Sequence, residues 1–366
     1  MADKFVFEQR DYQAKAVDAA LTHYQRGVDS VLIESPVGSG KTIMGLMTIQ
    51  ALQKQNPDLR VNWVASRRHI LEQTDRVNLE YFHCNITPVS VFDSNPPPAD
   101  LVVLDEAHHE ATQSCLNMYE KTGNQLTLGL SATPLRTDKM RLSFQQTVRT
   151  CSIQTLINRG VLSPYHSYKL PHWNVELAAR VYCAQPERWG KTLVFFKTLA
   201  ECRAFAELLN ASGITCEVVS SNSRRDAQLD MFANGDLQVI ANVSVLSEGF
   251  DLPDLQSVFM RDGSRLPIIQ MAGRGLRKAP GKKCCNIVQS EQSPFQIEKI
   301  ALPDESFKLV RDVWLACSDR TAAIEEALMR SVELLDKRAK KSLPLYITEA
   351  PHKTQVCLKS GIRKYL

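Results

Sequence analysis

The sequence predicts an α/β protein with two tandem parallel-sheet domains and a small helical C-terminal extension. Apolar runs of strand length alternate with segments of helical period, as in parallel sheets joined by crossover helices. The alternation lapses around residues 160–172, where Pro164 and Pro171 interrupt it, and then restarts, so one chain carries two such sheets. Polar residues gather at the C-terminal ends of the runs, the edge at which open α/β sheets bind ligands. A length of 366 residues allows two ordinary cores, and 44% hydrophobic with 23% charged residues is a globular balance. The expected division is 1–165, 166–290 and 291–366.

Residues 11–24 carry Ala14, Ala16, Val17, Ala20 and Leu21 at helical spacing, so a helix precedes the first strand. Residues 30–42 then read SVLIESPVGSGKT: an apolar run, a loop of small residues through Pro36, Val37, Gly38 and Ser39, and Gly40, Lys41 and Thr42 opening a helix. This succession aims backbone N–H groups and a helix dipole at one spot, where a polyphosphate can sit. Lys41 would reach the terminal phosphates, and the Thr42 hydroxyl would ligand magnesium. Ser35 stands where the pattern G-x-x-x-x-G-K-[ST] has its first glycine. Further on, 43–52 is expected as a helix, 61–65 as a strand, a helix begins at Ile70, and a strand ends at Phe92. The run Asn95-Pro96-Pro97-Pro98 is a turn, because proline is excluded from helix interiors and central strands. Residues 101–104 form an all-apolar strand ending at Asp105-Glu106, and 126–130 form another leading to Ser131-Ala132-Thr133. In the second half, strands are expected at 192–196, 216–219, 239–242, 257–260 and 285–288, and helices at 199–209, 224–232 and 268–273. Two more helices, 304–317 and 321–340, precede a basic tail.

Asp105 and Glu106, placed after a buried strand some sixty residues beyond the loop, suit a magnesium ligand acting largely through water and a group polarising the attacking water. In the second half, Gln270-Met271-Ala272-Gly273-Arg274-Gly275-Leu276-Arg277 sets two arginines three apart on one helical face. Planar guanidinium groups suit a transferring phosphoryl, so a nucleotide is expected in the cleft between the two domains. His108-His109-Glu110 has no third partner for a metal, and Asp304 reads better as a helix N-cap than as part of a nuclease centre.

The ten cysteines are scattered with no paired C-x-x-C, and Cys284-Cys285 reads as a reduced pair in a strand. The N-terminus has no apolar leader, and no apolar run approaches the roughly 20 residues that span a bilayer. The expectation is a monomer in the cytoplasm, in the nucleoid or in an infected host, with no membrane partner. Net charge is +4 and uneven: residues 337–366 hold eight Lys or Arg against Glu349 alone, which leaves 36 basic residues (44 less 8) and 39 acidic ones (40 less 1) before them. The tail is the basic part and suggests an anionic partner.

With these motifs in order, the chain resembles the DEAH-bearing superfamily 2 helicases, and among them the compact XPB-like, RadD-like and phage UvsW-like DNA-directed enzymes. The similarity runs from about residue 7 to 290. Phe7, Arg10 and Gln13 match the adenine-recognition element, Ser35 to Thr42 motif I, and Ser66-Arg67-Arg68 the first nucleic-acid motif. Asp105 to His108 match motif II, Ser131-Ala132-Thr133 motif III, Phe195-Phe196-Lys197 motif IV, Glu248-Gly249-Phe250-Asp251 motif V, and Gln270 to Arg277 motif VI. The resemblance implies two RecA-like (P-loop) domains using ATP and Mg2+, with Lys41, Asp105, Glu106, Gln270, Arg274 and Arg277 in the chemistry. It also implies that Gln13 reads the adenine edge, that Arg10 or Phe7 packs on its face, and that Gly249 and Asp251 sit near the ribose and phosphates. Val243 stands where many relatives have a strand-contacting Thr, so Ser244 or Ser247 takes that contact.

Nucleic acid is then expected across the top of both domains, held through its backbone by Arg67, Arg68 and Arg136 from the first and Lys197, Ser221 and Ser244 from the second. The reading is an ATP-dependent DNA helicase or translocase, with DNA preferred to RNA. The alternatives are an RNA helicase, the motor half of a restriction or defence complex with a protein partner on residues 291–366, and a nucleotide-gated binding protein that never unwinds.

Overall fold

A computed structural model describes residues 9–109, 113–134, 140–220, 223–243, 252 and 254–317. Its first sheet contains β1 (Ser30–Glu34), β2 (Val61–Ala65), β3 (Thr87–Ser90), β4 (Leu101–Asp105), β5 (Leu126–Ser131) and β6 (Gln146–Arg149), parallel throughout in the order β3-β2-β4-β5-β1-β6. Helices α1 (Asp11–Gln25), α2 (Lys41–Gln55), α3 (Arg68–Val77) and α4 (Gln113–Thr122) accompany it. The all-apolar run of β4 is explained by burial on both faces: Leu101 and Val103 join one hydrophobic cluster, Val102 and Leu104 the opposite one. Each such side chain contributes roughly 1.5–3 kcal/mol on burial, which commits this strand to the sheet centre.

The second sheet repeats the plan. It contains β7 (Tyr165–Leu170), β8 (Thr192–Phe195), β9 (Cys216–Val219), β10 (Val239–Asn242), β11 (Ser257–Met260), β12 (Cys285–Ser290), β13 (Glu305–Val310) and β14 (Val313–Ala316). Their order is β14-β13-β7-β12-β11-β8-β10-β9, parallel except for the β13–β14 hairpin. Leu193 and Phe195 of β8 face one cluster while Val194 and the following Phe196 face the other. The helices are α5 (Ile153–Asn158), α6 (Val175–Ala184), α7 (Pro186–Trp189), α8 (Leu199–Ala211), α9 (Arg225–Asn234) and α10 (Arg265–Gly275).

Two expectations are corrected. Residues 160–172 are not only a connection: β7 lies within them and pairs with both β12 and β13. Pro164 and Pro171 sit one residue outside each end of β7, where a missing N–H removes no ladder bond. Upstream of it, Ile153, Leu156 and Leu162 pack into a core shared with β8, β11 and β12. Residues 304–317, expected as a helix, form a hairpin instead. Phe307, Leu309 and Trp314 alternate onto the core face, and Arg311 and Asp312 take left-handed φ of 47° and 63° at the two-residue turn. Tyr168 stacks on Phe307 at 4.8 Å, and Trp314 meets Tyr168 edge-on at 5.0 Å, which fastens the hairpin to β7. The expected helix 321–340 and the basic tail lie outside the described residues.

Candidate active site

Three adjacent strands, β4, β5 and β1, end side by side and deliver the residues that matter. From β1 the chain enters the phosphate loop, in which Gly38 and Gly40 adopt φ of 79° and 85°. Only glycine takes this conformation at little cost, and a Cβ would also displace a neighbour: on Gly40 it would lie 2.6 Å from Nε2 of Gln13, and on Gly38 2.7 Å from Cδ2 of Leu162. Hydroxyls brace the loop from within. Ser35 Oγ donates to Ser39 Oγ at 2.6 Å, Ser39 Oγ donates to the Pro36 carbonyl at 2.6 Å, and Thr150 Oγ1 lies 2.7 Å from Ser35 Oγ. The departure at Ser35 is thus part of the loop's own scaffold. Behind it, the Tyr12 hydroxyl and Gln13 Nε2 both donate to the Ser39 carbonyl, at 2.7 and 2.9 Å, while Gln13 Oε1 accepts from the Arg10 backbone N–H.

From β4 come Asp105, which is buried, and Glu106, which holds φ at 52°. A non-glycine residue in that region stores strain, and here it turns the Glu106 side chain toward Lys41, Oε1 to Nζ 3.8 Å. His108 Nδ1 lies 3.4 Å from the other Glu106 oxygen. Burial, reinforced by the neighbouring Glu106 charge, pushes the Asp105 carboxyl up to about 7, with Lys41 opposing. A buried carboxyl with a raised pKa, beside a half-buried second carboxylate, a lysine and the Thr42 hydroxyl, is a donor set that a divalent cation would relieve.

The opposite wall is α10. Gly273 stands where a Cβ would come within 2.8 Å of Val37, so this helix rests on the phosphate loop itself. Its following residues Arg274, buried, and Arg277 open with Gln270 onto the same cavity as Gly40, Lys41, Thr42, Asp105 and Glu106. That cavity holds about 980 Å³, within the range of small-molecule and cofactor sites, and Arg10, Val37 and Gly38 also line it. Gln13 and Ser39 lie buried behind the loop, and Pro36 faces a second cavity of about 400 Å³ with Glu34 and Arg149.

Of the expected nucleic-acid residues, the described ones, Arg67, Arg68 and Lys197, do not line this cavity. Arg67 and Arg68 open α3 at the end of β2, and Lys197 is exposed after β8, its N–H bonded to Glu201. Phe7, Arg136, Ser221, Ser244, Gly249 and Asp251 lie outside the described residues. Sequence reasoning missed Tyr12, Thr150, Arg159, Gly160 and Lys278, the last three of which line the cavity. Tyr12, beside Gln13, was the one with a positional signal; Thr150 meets the loop, and Gly160 the cavity, only through folding.

Two family models match the chain: the res subunit of type III restriction enzymes over residues 6–90, and the helicase conserved C-terminal domain over residues 174–279. IRC3 of Saccharomyces cerevisiae, named as a candidate ATP-dependent helicase, is 23% identical over 351 residues, covering 76% of this chain. The chain spans about half the length of that relative, 51%. Among solved structures, the ATP-dependent type ISP restriction-modification enzyme LlaBIII bound to DNA superposes with a TM-score of 0.58 at 18% identity, over 80% of this chain and 28% of that one. S. cerevisiae Dbp5 bound to RNA and ADP-BeF3 superposes with a TM-score of 0.53 at 16% identity, over 77% and 87%. These likenesses show the fold, two tandem RecA-like domains. No helix of the described residues is long and apolar enough to cross a membrane.

Proposed function

We propose that this chain, similar in both halves to superfamily 2 helicases, hydrolyses ATP in the cleft between its two sheets and uses the attendant closure to move along or remodel DNA. One observation carries the reading: a single cavity is walled by Lys41, Asp105 and Glu106 from the first sheet and by Gln270, Arg274 and Arg277 from the second. Neither wall alone surrounds a triphosphate, so turnover requires both to be in place.

In this reading Lys41 and the phosphate-loop amides hold the β and γ phosphates, while Thr42 and Asp105 would hold Mg2+, which when bound offsets phosphate charge. Glu106 orients the attacking water and takes its proton. Its Lys41 contact exchanges for the phosphate as nucleotide enters, freeing the carboxylate. Arg274 and Arg277 stabilise charge on the transferring phosphoryl, and Gln270 aligns the water with them. Arg10 stacks on the adenine, with Phe7, Gly249 and Asp251 completing the nucleoside end. Arg67, Arg68 and Lys197, with Arg136, Ser221 and Ser244, hold the strand by its phosphates as a monomer works in the cytoplasm. The two motor domains are taken as residues 1–165 and 166–290, and the packing of Ile153 and Leu156 with β8, β11 and β12 would support a boundary nearer residue 150.

The restriction-enzyme likenesses favour one second reading, a motor subunit whose partner docks on residues 291–366. ATPase activity measured with single-stranded DNA, duplex, fork and RNA tests the first reading. Stimulation by DNA is expected, RNA-only stimulation assigns an RNA helicase, and no turnover with any of them removes the motor. Co-purification through residues 291–366 tests the second.

A further inference from the structure

Arg277 is gripped from two sides. On one, Leu162 forms an antiparallel bridge with it, the Ser163 N–H donates to the Leu276 carbonyl at 2.7 Å, and Ser163 Oγ donates to the Arg277 carbonyl at 3.3 Å. Leu162 is 2% exposed and also abuts Gly38, so the same residue touches the phosphate loop and the strand position of Arg277. On the other side Lys282 folds back over the end of α10, its Nζ donating to the carbonyls of Gly275 at 2.6 Å and Arg277 at 2.9 Å.

The last carbonyls of a helix have no partners within it and carry the negative end of its dipole, so a cation there both satisfies and orients them. Lys282 is largely buried, and burial lowers its ammonium's pKa. A lysine held in such a place is an expensive way to end a helix whose capping a glycine or water could supply. What it adds is a fixed direction for the two residues after Gly275, the second of which is Arg277.

We infer that Lys282 is a positioning residue: with Leu162 it forms a clasp that fixes Arg277 in the nucleotide cleft and ties its position to that of the phosphate loop. The inference rests on the proposed ATPase reading and adds two residues that touch no phosphate. The contacts run in series from Gly38 through Leu162 and Arg277 to Lys282. A nucleotide that orders the loop is thereby felt at Arg277 through Leu162, while Lys282 prevents the guanidinium's backbone from drifting away.

The test is steady-state ATP hydrolysis by the full chain with DNA, for Lys282→Met, Lys282→Arg, Arg277→Ala and the double variant Lys282→Met/Arg277→Ala, with a thermal melt of each. Methionine keeps the stem and removes the donors. Lys282→Met should lower kcat by about 10- to 100-fold, the scale of a catalytic group displaced by an ångström, with KM for ATP changed less than about threefold. Lys282→Arg, which still donates to carbonyls, should recover most of that rate. Because Lys282 acts through Arg277, the double variant should be no slower than Arg277→Ala alone. Defects that multiply in the double variant, or a Lys282→Met chain with unchanged kcat, overturn the clasp. A KM rise with constant kcat also overturns it, since Lys282 then serves binding. If the parent chain itself shows no DNA-stimulated turnover, the ATPase reading fails, whatever the clasp does. In that case further melts of Leu162→Ala and of the double variant Leu162→Ala/Lys282→Met decide the clasp's structural half: the two changes should couple in melting temperature, and independent effects would sink it.

Discussion

At the scale of single residues, the first sheet's contribution is a set of charges gathered at one cavity, with Lys41 3.8 Å from Glu106. Lys41 supplies the point charge for phosphates, so Lys41→Ala should abolish turnover and weaken ATP binding. Glu106→Gln keeps the size of the side chain but cannot take a proton, so it should bind ATP and leave it uncleaved. Normal turnover in both variants, measured by phosphate release, would remove the catalytic assignment. Ser35 supports a subtler expectation. It joins Ser39 and the half-buried Thr150 in a hydroxyl relay worth about 1 kcal/mol per bond, so Ser35→Ala should loosen the loop and raise KM for ATP about fivefold while leaving kcat nearly unchanged. A falling kcat at constant KM would show that the relay serves chemistry and not loop order.

Among the elements, α10 has the greatest consequence, because it is the piece of the second sheet that lies on the phosphate loop. Gly273→Ala separates intrinsic helix stability from that packing. Alanine gains about 1 kcal/mol of helix propensity over glycine, yet its Cβ would meet Val37 at 2.8 Å. The melting temperature should therefore hold or rise while kcat falls about tenfold, since the cleft can no longer close to the same depth. An unchanged kcat would mean that Val37 yields and that the helix sits on the loop without constraint. The hairpin β13–β14 shows the reverse relation between sequence and element. Its alternation of Phe307, Leu309 and Trp314 is a strand pattern, but two acidic residues at its start imitate a helix N-terminus, and only the aromatic partners Tyr168 and Trp189 on distant segments decide between them.

For the molecule as a whole, charges from both halves meet at His69, half-buried on α3. Burial and then the positive charges of Arg225, Arg67 and Arg274 hold its imidazole down to about 4, with Asp226 opposing. The ordinary value is near 6.5, so the unfolded chain binds the proton first as pH falls, and stability declines between about pH 6.5 and pH 4. His69→Gln should flatten the fall in melting temperature over that window; an identical fall would place the acid sensitivity elsewhere. The basic segment 337–366, outside the described residues, gives a second expectation at this scale. If it holds DNA phosphates, deleting it should weaken DNA binding and flatten the slope of log affinity against log salt by about 0.9 for each duplex phosphate that the segment neutralises, with hydrolysis at saturating DNA nearly unchanged. An unchanged slope in the folded, truncated chain would sink that role.

What the sequence determined by itself was local: the glycine-lined loop before Lys41, the carboxylates after an all-apolar strand, the two arginines spaced three apart, and the alternation that makes parallel sheets. Each is legible because its physics lies within a few residues of backbone, in a positive φ, a helix dipole or a run of apolar side chains. The sequence also showed prolines at 164 and 171, but whether they broke a strand or bounded one depended on β12 and β13 pairing with the segment between them. The tertiary structure alone decided that Ser35 leans on Thr150, that Gly273 rests against Val37, and that Leu162 and Lys282 hold Arg277, because these pairs join residues up to 236 positions apart along the chain (273 less 37). Side-chain packing at such separations leaves no period or spacing to read; it exists only once both sheets have formed and faced each other.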